Sequence, residues 1–190
     1  MSAFEFFFSL FGLILGLAIA TIAGGMSDVL RERKRIPIGW LTPLMATFLL
    51  IDLTSFWVVS WNSLSEIRIG FPSMLSVVSL AVVYVFAAGM VLPKKVEEWA
   101  SIDEYYLQHY RWVLGGVLFA NVGLLTLVGA LSEEGVLASW LRRFTDWTDL
   151  VYFGVLIVLM IFPRRIVHLV GYAILLFGYV AIIVTDPSLT

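Results

Sequence analysis

The chain has 190 residues, of which 61% are hydrophobic and 14% charged, and its mean hydropathy is +0.96. A soluble domain carries charge on roughly a quarter of its residues, so the composition excludes that class and indicates a membrane protein. The net charge of −2 is divided among short clusters between apolar segments, which gives no support to nucleic-acid binding. The absence of cysteine excludes disulfides, iron–sulfur clusters and cysteine nucleophiles.

The first apolar segment is expected to be a retained membrane helix rather than a cleaved signal peptide. It carries Glu5 and has no Lys or Arg before its apolar run. Its apolar part also continues for about twenty residues, longer than the usual apolar region of a signal peptide.

Hydropathy predicts an all-α fold, a single membrane domain over residues 1–190 with six spanning helices, short loops and one or two interfacial helices. Crossing the hydrocarbon core takes about 20 apolar residues. The predicted spans lie near 4–25, 41–62, 73–93, 112–132, 147–163 and 166–185. The fifth has the shortest apolar run, Leu150 to Phe162, and ends at Pro163, so a shallow hairpin is the alternative there.

Lys and Arg are unevenly divided between the two sets of loops. Nine follow spans one, three and five, namely Arg31, Arg33, Lys34, Arg35, Lys94, Lys95, Arg111, Arg164 and Arg165. Only Arg68, Arg142 and Arg143 follow spans two and four. The positive-inside rule therefore predicts a cell inner-membrane protein with both termini on the non-cytoplasmic side. Tryptophans at the span ends, where an indole suits the headgroup region, support the boundaries: Trp40, Trp61, Trp99, Trp112, Trp140 and Trp147.

Two connecting segments have the composition of interfacial structure. In residues 133–147, apolar side chains recur at helical spacing, which predicts a short helix lying in the membrane interface. Residues 94–112 mix acids with aromatic side chains and are expected to form an interfacial segment leading into span four.

Small residues recur every four positions in span one, at Gly12, Gly16, Ala20 and Gly24. Helices in lipid associate through close van der Waals fit, which such a ridge permits. We expect helix packing here and regard a homo-oligomer through this face as a possibility.

Three polar side chains share the middle depth of the predicted bundle: Asp52 in span two, Tyr84 in span three and Asn121 in span four. Ser55 is the one polar residue on the Asp52 face of its helix. Because no span contains Lys or Arg, the charged form of Asp52 is disfavoured unless water or a cation reaches it. A hydrogen-bonded Asp52 would act as a structural link between helices, whereas an accessible one would handle a proton or a monovalent cation.

A second polar line lies on span six, where His168, Tyr172 and Tyr179 share one face above Arg165. The spacing suits a proton path from the basic loops, and it also suits an interfacial histidine above packed tyrosines. We include His168 and Tyr172 with Asp52, Asn121, Tyr84 and Ser55 as the candidate ion- or proton-handling residues.

Other functional classes find little support. The two histidines, His109 and His168, provide no second spaced pair for haem, and no span holds a lysine for retinal or an arginine series for voltage sensing. Asp103 and Glu104 near His109 have acceptable spacing for a metal, yet such loop charges are usually only solvated. We therefore predict no catalytic residues, no bound metal and no cofactor.

Two functions remain at the level of sequence. The first is a channel-like or transport-like module that handles a proton or small cation at Asp52. The alternative is a non-catalytic accessory or scaffold subunit in which Asp52 and Asn121 only hold helices together.

Overall fold

The computed structural model describes residues 3–65 and 70–185, and within them every regular element is helical. The seven α-helices are α1 (Ala3–Arg31), α2 (Leu41–Leu64), α3 (Phe71–Val91), α4 (Ile102–Leu131), α5 (Gly135–Thr145), α6 (Trp147–Ile161) and α7 (Arg165–Thr185). A single 3₁₀ turn, Val96–Glu98, lies between α3 and α4. The predicted class, an all-α polytopic membrane bundle, is confirmed.

Helices α1 to α4 alternate in direction, and α7 begins at the same end as α4, so the bundle has two distinct ends. We call one the basic end, because it carries Arg31, Lys94, Arg111 and Arg165, and the other the α5 end. Five helices are long and apolar enough to cross a membrane: α1, α2, α3, α4 and α7.

Helices α5 and α6 are long and apolar enough for a sixth crossing only when taken together, and their axes differ by 91°, so the pair forms either a broken span or a re-entrant segment. With 15 residues, α6 is about 22 Å long, which is short of the hydrocarbon thickness of about 30 Å. Helix α5 lies across the end of the bundle and packs against both α4 and α6. Residues 135–145 are therefore helical, as the spacing in that loop predicts.

The helices are arranged around two packing centres. Helix α3 packs against α1 and α4, while α2, α4, α6 and α7 form a ring in which each helix contacts the next. Large apolar side chains cover the outside of the bundle, for example Leu13, Phe86, Phe119 and Phe177, which are 62–73% exposed. Because these side chains have no protein neighbour to cover them, this surface suits contact with lipid.

The small residues serve helix packing in α4 and α7. A Cβ at Gly123 would stand 2.6 Å from Leu80 of α3, and one at Gly171 would stand 2.5 Å from Leu159 of α6. On α1, Gly12 approaches Trp57 of α2, and Gly25 approaches Leu92 directly after α3. Gly16, Ala20 and Gly24 lie on the exposed face of α1, and self-association through them stays a prediction.

Helix α4 begins at Ile102, about three turns before the predicted span, which started at residue 112. The second half of the expected interfacial segment, residues 102–112, is therefore helical and continuous with span four, and its position at the interface stays a prediction. Ser101 caps the helix by accepting a hydrogen bond from the backbone N–H of Glu104 at 3.2 Å. Ile102, Tyr106 and Tyr110 recur every four residues and are all buried, so this aromatic stretch is the packed first part of α4.

The first residues of α4 also accept hydrogen bonds from the first residues of α2. The backbone N–H of Leu41 donates to Asp103 Oδ1 at 3.2 Å, and the Thr42 hydroxyl donates to the Ile102 carbonyl, also at 3.2 Å. Gly39, just before α2, has a φ of +73°, and a Cβ there would lie 2.2 Å from the Asp103 carboxyl group. The connection needs glycine, because a side chain would be strained and would displace the capping carboxylate.

We expect Gly39→Ala to destabilise the protein by about 2 kcal/mol or more, since it adds backbone strain and removes the Asp103 cap of α2. The measurement is the midpoint of thermal denaturation of the purified protein in detergent. Gly135→Ala is the matched control, because Gly135 also has a positive φ, +80°, but a Cβ added there would have no atom within 4 Å. Equal losses in the two variants would contradict a specific role for the Asp103 contact.

Candidate functional site

Asp52 lies midway along α2, is only 2% exposed, and accepts hydrogen bonds from tyrosines of three other helices. The Tyr84 hydroxyl of α3 donates to Oδ2 at 2.6 Å. The hydroxyls of Tyr152 in α6 and Tyr179 in α7 donate to Oδ1 at 2.5 Å and 2.8 Å. One carboxyl group therefore joins four helices.

Asn121 of α4 brings in a fifth helix. Its amide nitrogen donates to the Tyr84 hydroxyl at 2.9 Å, to the Tyr152 hydroxyl at 3.1 Å and to the Val117 carbonyl at 3.0 Å. Because both tyrosines use their hydrogen on Asp52, their oxygens can only accept, which places the Asn121 NH₂ group towards them. Asp52, Tyr84, Asn121, Tyr152 and Tyr179 are called the Asp52 cluster from here on.

The direction of these hydrogen bonds suits an ionised carboxylate. A carboxylate only accepts, and here three O–H groups converge on its two oxygens. Among the described residues, no Lys or Arg bonds to Asp52. Three hydroxyl dipoles therefore replace the hydration shell that a charged group loses on burial.

The sequence singled out three members of this cluster, and the structure brings all three together. Tyr152 was not among the expected residues, and Tyr179 was assigned to a different line on α7. The position of Tyr152 within the short fifth span is the sequence signal that could have identified it. Ser55, one turn from Asp52, has no hydrogen bond to it and lines the same cavity as Tyr179.

A cavity of about 840 Å³ lies within the ring of α2, α4, α6 and α7. At its deep end are Ser55, Asn121, Tyr152 and Tyr179, three of which belong to the Asp52 cluster. Its walls are mainly aliphatic, including Leu50, Ile51, Val58, Leu124, Leu125, Val128, Ile182 and Ile183.

At the α5 end the cavity is lined by polar side chains, and we call this end its mouth: Ser63, Arg143, Asp146, Thr148 and Asp149. Arg143 Nη1 is paired with Asp149 Oδ2 at 3.0 Å, and Asp146 accepts from the backbone N–H of Thr148 at 2.9 Å. The break between α5 and α6 places these charged groups at the mouth. Only the hydroxyl and amide groups of the deep end separate the cavity from Asp52.

His168 and Tyr172 form a second cluster nearer the basic end. The Tyr106 hydroxyl bonds to His168 Nδ1 and lies 3.1 Å from the Tyr172 hydroxyl. His168 Nε2 lies 3.0 Å from the Phe162 carbonyl, which can only accept, so Nε2 carries a proton. We call Tyr106, His168 and Tyr172 the His168 cluster.

An apolar layer separates the two clusters. The residues between them on α2, α4 and α7 are buried and hydrophobic, namely Phe48, Leu49, Val113, Leu114, Val117 and Leu175. The Phe48 ring lies 5.8 Å from the Tyr172 ring. No hydrogen bond among the described residues connects the clusters, so the line predicted along α7 is interrupted.

Two of the residues considered above as metal ligands, Asp103 and His109, have other contacts. Asp103 caps α2, and His109 Nδ1 bonds to the Tyr105 carbonyl at 2.9 Å. Over residues 3–65 and 70–185, no three His, Cys, Asp or Glu side chains are arranged to hold a metal ion.

Comparison with protein-family models, curated proteins and solved structures finds no match to this chain. The class is therefore defined by the structure alone. The protein is a multi-pass α-helical membrane protein with a buried acid held by tyrosines beneath a cavity.

We expect Asp52→Leu to lower the free energy of unfolding by about 3 kcal/mol or more, because it leaves three buried hydroxyl groups without their acceptor. Thermal or denaturant unfolding of the protein in detergent measures this change. Thr47→Val is the control on the same helix, since Thr47 is exposed. An Asp52→Leu variant as stable as that control would contradict the role of the Asp52 cluster in holding the helices together.

Proposed function

We propose that this protein is a membrane transport module that takes up and releases a proton at Asp52. The observation that carries the proposal is that Tyr152 and Tyr179 both donate to Asp52 and both line the cavity. Water in the cavity would thus be one hydroxyl group away from the carboxylate. An intramembrane acid with such access is suited to proton exchange.

The geometry favours a proton over a metal cation. Three hydroxyl groups surround the two Asp52 oxygens, so a metal ion would have to displace them to reach the charge. A proton needs only one hydroxyl to turn from donor to acceptor. Tyr179 is suited to this change, because it lines the cavity, where water could accept its hydrogen instead.

Access to Asp52 is one-sided in this conformation. The cavity leads to the α5 end, and the apolar layer blocks the way to the His168 cluster. Passage of the proton to the basic end would require the ring helices to repack around that layer. His168 would then be the next proton acceptor, with Tyr106 and Tyr172 as its hydrogen-bonding partners.

The orientation follows from the distribution of charge. The basic end carries nine of the Lys and Arg residues, whereas Arg142 and Arg143 are the ones described at the α5 end. The positive-inside rule places the basic end in the cytoplasm of a cell whose inner membrane holds the protein. The cavity then opens to the non-cytoplasmic side, where Ala3 and Thr185 also lie.

A scaffold or accessory subunit is the second candidate. It is favoured by the hydrogen bonds themselves, because one carboxyl group and one amide connect five helices. In that case the Asp52 cluster would fix helix register and exchange no proton during function.

Proton flux in liposomes separates the two candidates. We expect wild-type protein to dissipate an imposed pH gradient faster than empty liposomes, and Asp52→Asn to reduce the rate to that background, because an amide cannot carry the proton. A pH-sensitive dye trapped inside measures the rate, and Thr47→Val is the control. Flux at the background level in the wild type, or undiminished flux in folded Asp52→Asn, would contradict the transport proposal.

The orientation is tested by cysteine labelling, which is clean because the natural chain has no cysteine. With a membrane-impermeant maleimide, we expect Glu133→Cys to be labelled in cells whose inner membrane is intact and accessible. Lys34→Cys should be labelled only after that membrane is opened. The reverse pattern would show that the proposed orientation is wrong.

A further inference from the structure

We infer that the cavity binds a lipophilic organic cation, whose charge is held at the hydroxyl groups covering Asp52. The inference rests on the proposed proton site and goes further by naming a second solute for it. It is carried by three features of the cavity: its walls, the charge behind its deep end and the charge at its mouth.

The walls suit an apolar body rather than a hydrated ion. Aliphatic side chains of α2, α4 and α7 make up most of the lining, as in sites for small organic ligands. A volume of about 840 Å³ is large enough for a multi-ring molecule and far more than one inorganic ion needs. A hydrated metal ion would lose its water along these walls and find few oxygen ligands in return.

The deep end presents negative charge. The hydroxyl oxygens of Tyr152 and Tyr179 line the cavity next to the Asp52 carboxylate to which they donate, and the Tyr152 oxygen also accepts from Asn121. Asn121 Oδ1 receives no hydrogen bond from the described residues, because the amide nitrogen faces the tyrosines. The tyrosine rings add a surface to which a cation is attracted.

The charged side chains at the mouth of the cavity also favour a cation over an anion. Arg143 is neutralised by Asp149, and Asp146 adds a further negative charge. A net negative entrance above a buried acid raises the local concentration of cations and opposes anions.

Competition between the cation and the proton follows from this arrangement. The cation is stabilised by an ionised Asp52, and protonation of Asp52 removes the charge that holds it. The ionisable side chains facing Asp52 are Tyr84, Tyr152 and Tyr179, while Arg143, Asp146 and Asp149 stand at the mouth. Outward-facing binding of a proton would therefore release the cation, which describes an exchanger.

The test uses tetraphenylphosphonium, with tetraphenylborate as a probe of the same shape and opposite charge. Binding to the purified protein in detergent is measured by calorimetry at about pH 8 and about pH 5. We expect the phosphonium to bind with an affinity that falls about tenfold or more at the lower pH, and to be weakened about tenfold or more by Asp52→Asn. Tetraphenylborate should not bind.

Val58→Trp provides a variant that narrows the cavity, and Val82→Trp on the exposed face of α3 is its control. Val58→Trp should weaken phosphonium binding about tenfold or more, whereas Val82→Trp should bind the phosphonium as the wild type does. Equal binding of the two probes, or phosphonium binding unchanged in Asp52→Asn, would overturn the inference. If the wild type carries protons but does not bind the phosphonium, only the inference fails, whereas absence of Asp52-dependent flux contradicts the proton proposal itself.

Discussion

The hydrogen bonds from three tyrosines to Asp52 are the interaction on which the arrangement of this bundle depends. In lipid, apolar side chains gain little by leaving their surroundings, so helices are held by close packing and by polar contacts. Asp52 supplies acceptors for α3, α6 and α7, and Asn121 attaches α4 to the same point. Because a buried carboxyl group without hydrogen-bond donors is energetically costly, Asp52 fixes the relative position of five helices.

The shape of the cavity depends on the length of α6 and on the angle between α5 and α6. Helix α6 is short, and the 91° bend at Asp146 turns α5 across the end of the bundle. The pair therefore does not fill the ring of α2, α4, α6 and α7 at the α5 end. Tyr152 stands on the part of α6 that remains inside, where it both closes the cavity and bonds to Asp52. Helix α6 therefore leaves the mouth of the cavity unfilled and also covers Asp52 with the Tyr152 side chain.

The two polar clusters lie at different depths of the bundle, with the His168 cluster nearer the basic end. Each contains tyrosine hydroxyls arranged around a titratable side chain, and hydrophobic residues of α2, α4 and α7 keep them apart. In the proposed function, proton exchange at Asp52 and binding of a second solute would both act through the hydroxyl groups of Tyr152 and Tyr179. A change in the charge of Asp52 would then act on helices α6 and α7, which pack against each other. That coupling would link occupancy of the cavity to the position of the helices.

How much was predictable differs between the fold and the site. Long apolar segments and the four-residue spacing of buried side chains are local properties, so the number and type of the helices followed from them. The start of α4 did not, because the polar groups of its first turns resemble a solvated loop. Their burial arises only when Asp103 meets the start of α2 and Tyr106 meets α7.

For the site, the sequence by itself determined that Asp52, Tyr84 and Asn121 share one depth and that no cation within a span accompanies them. Depth follows from position along a helix. The tertiary structure alone decided that Tyr152 and Tyr179 also reach Asp52, and that a cavity lies over them with Ser55 in its lining. The reason is physical: the direction in which a side chain points across a bundle depends on helix rotation and neighbours, which only packing sets.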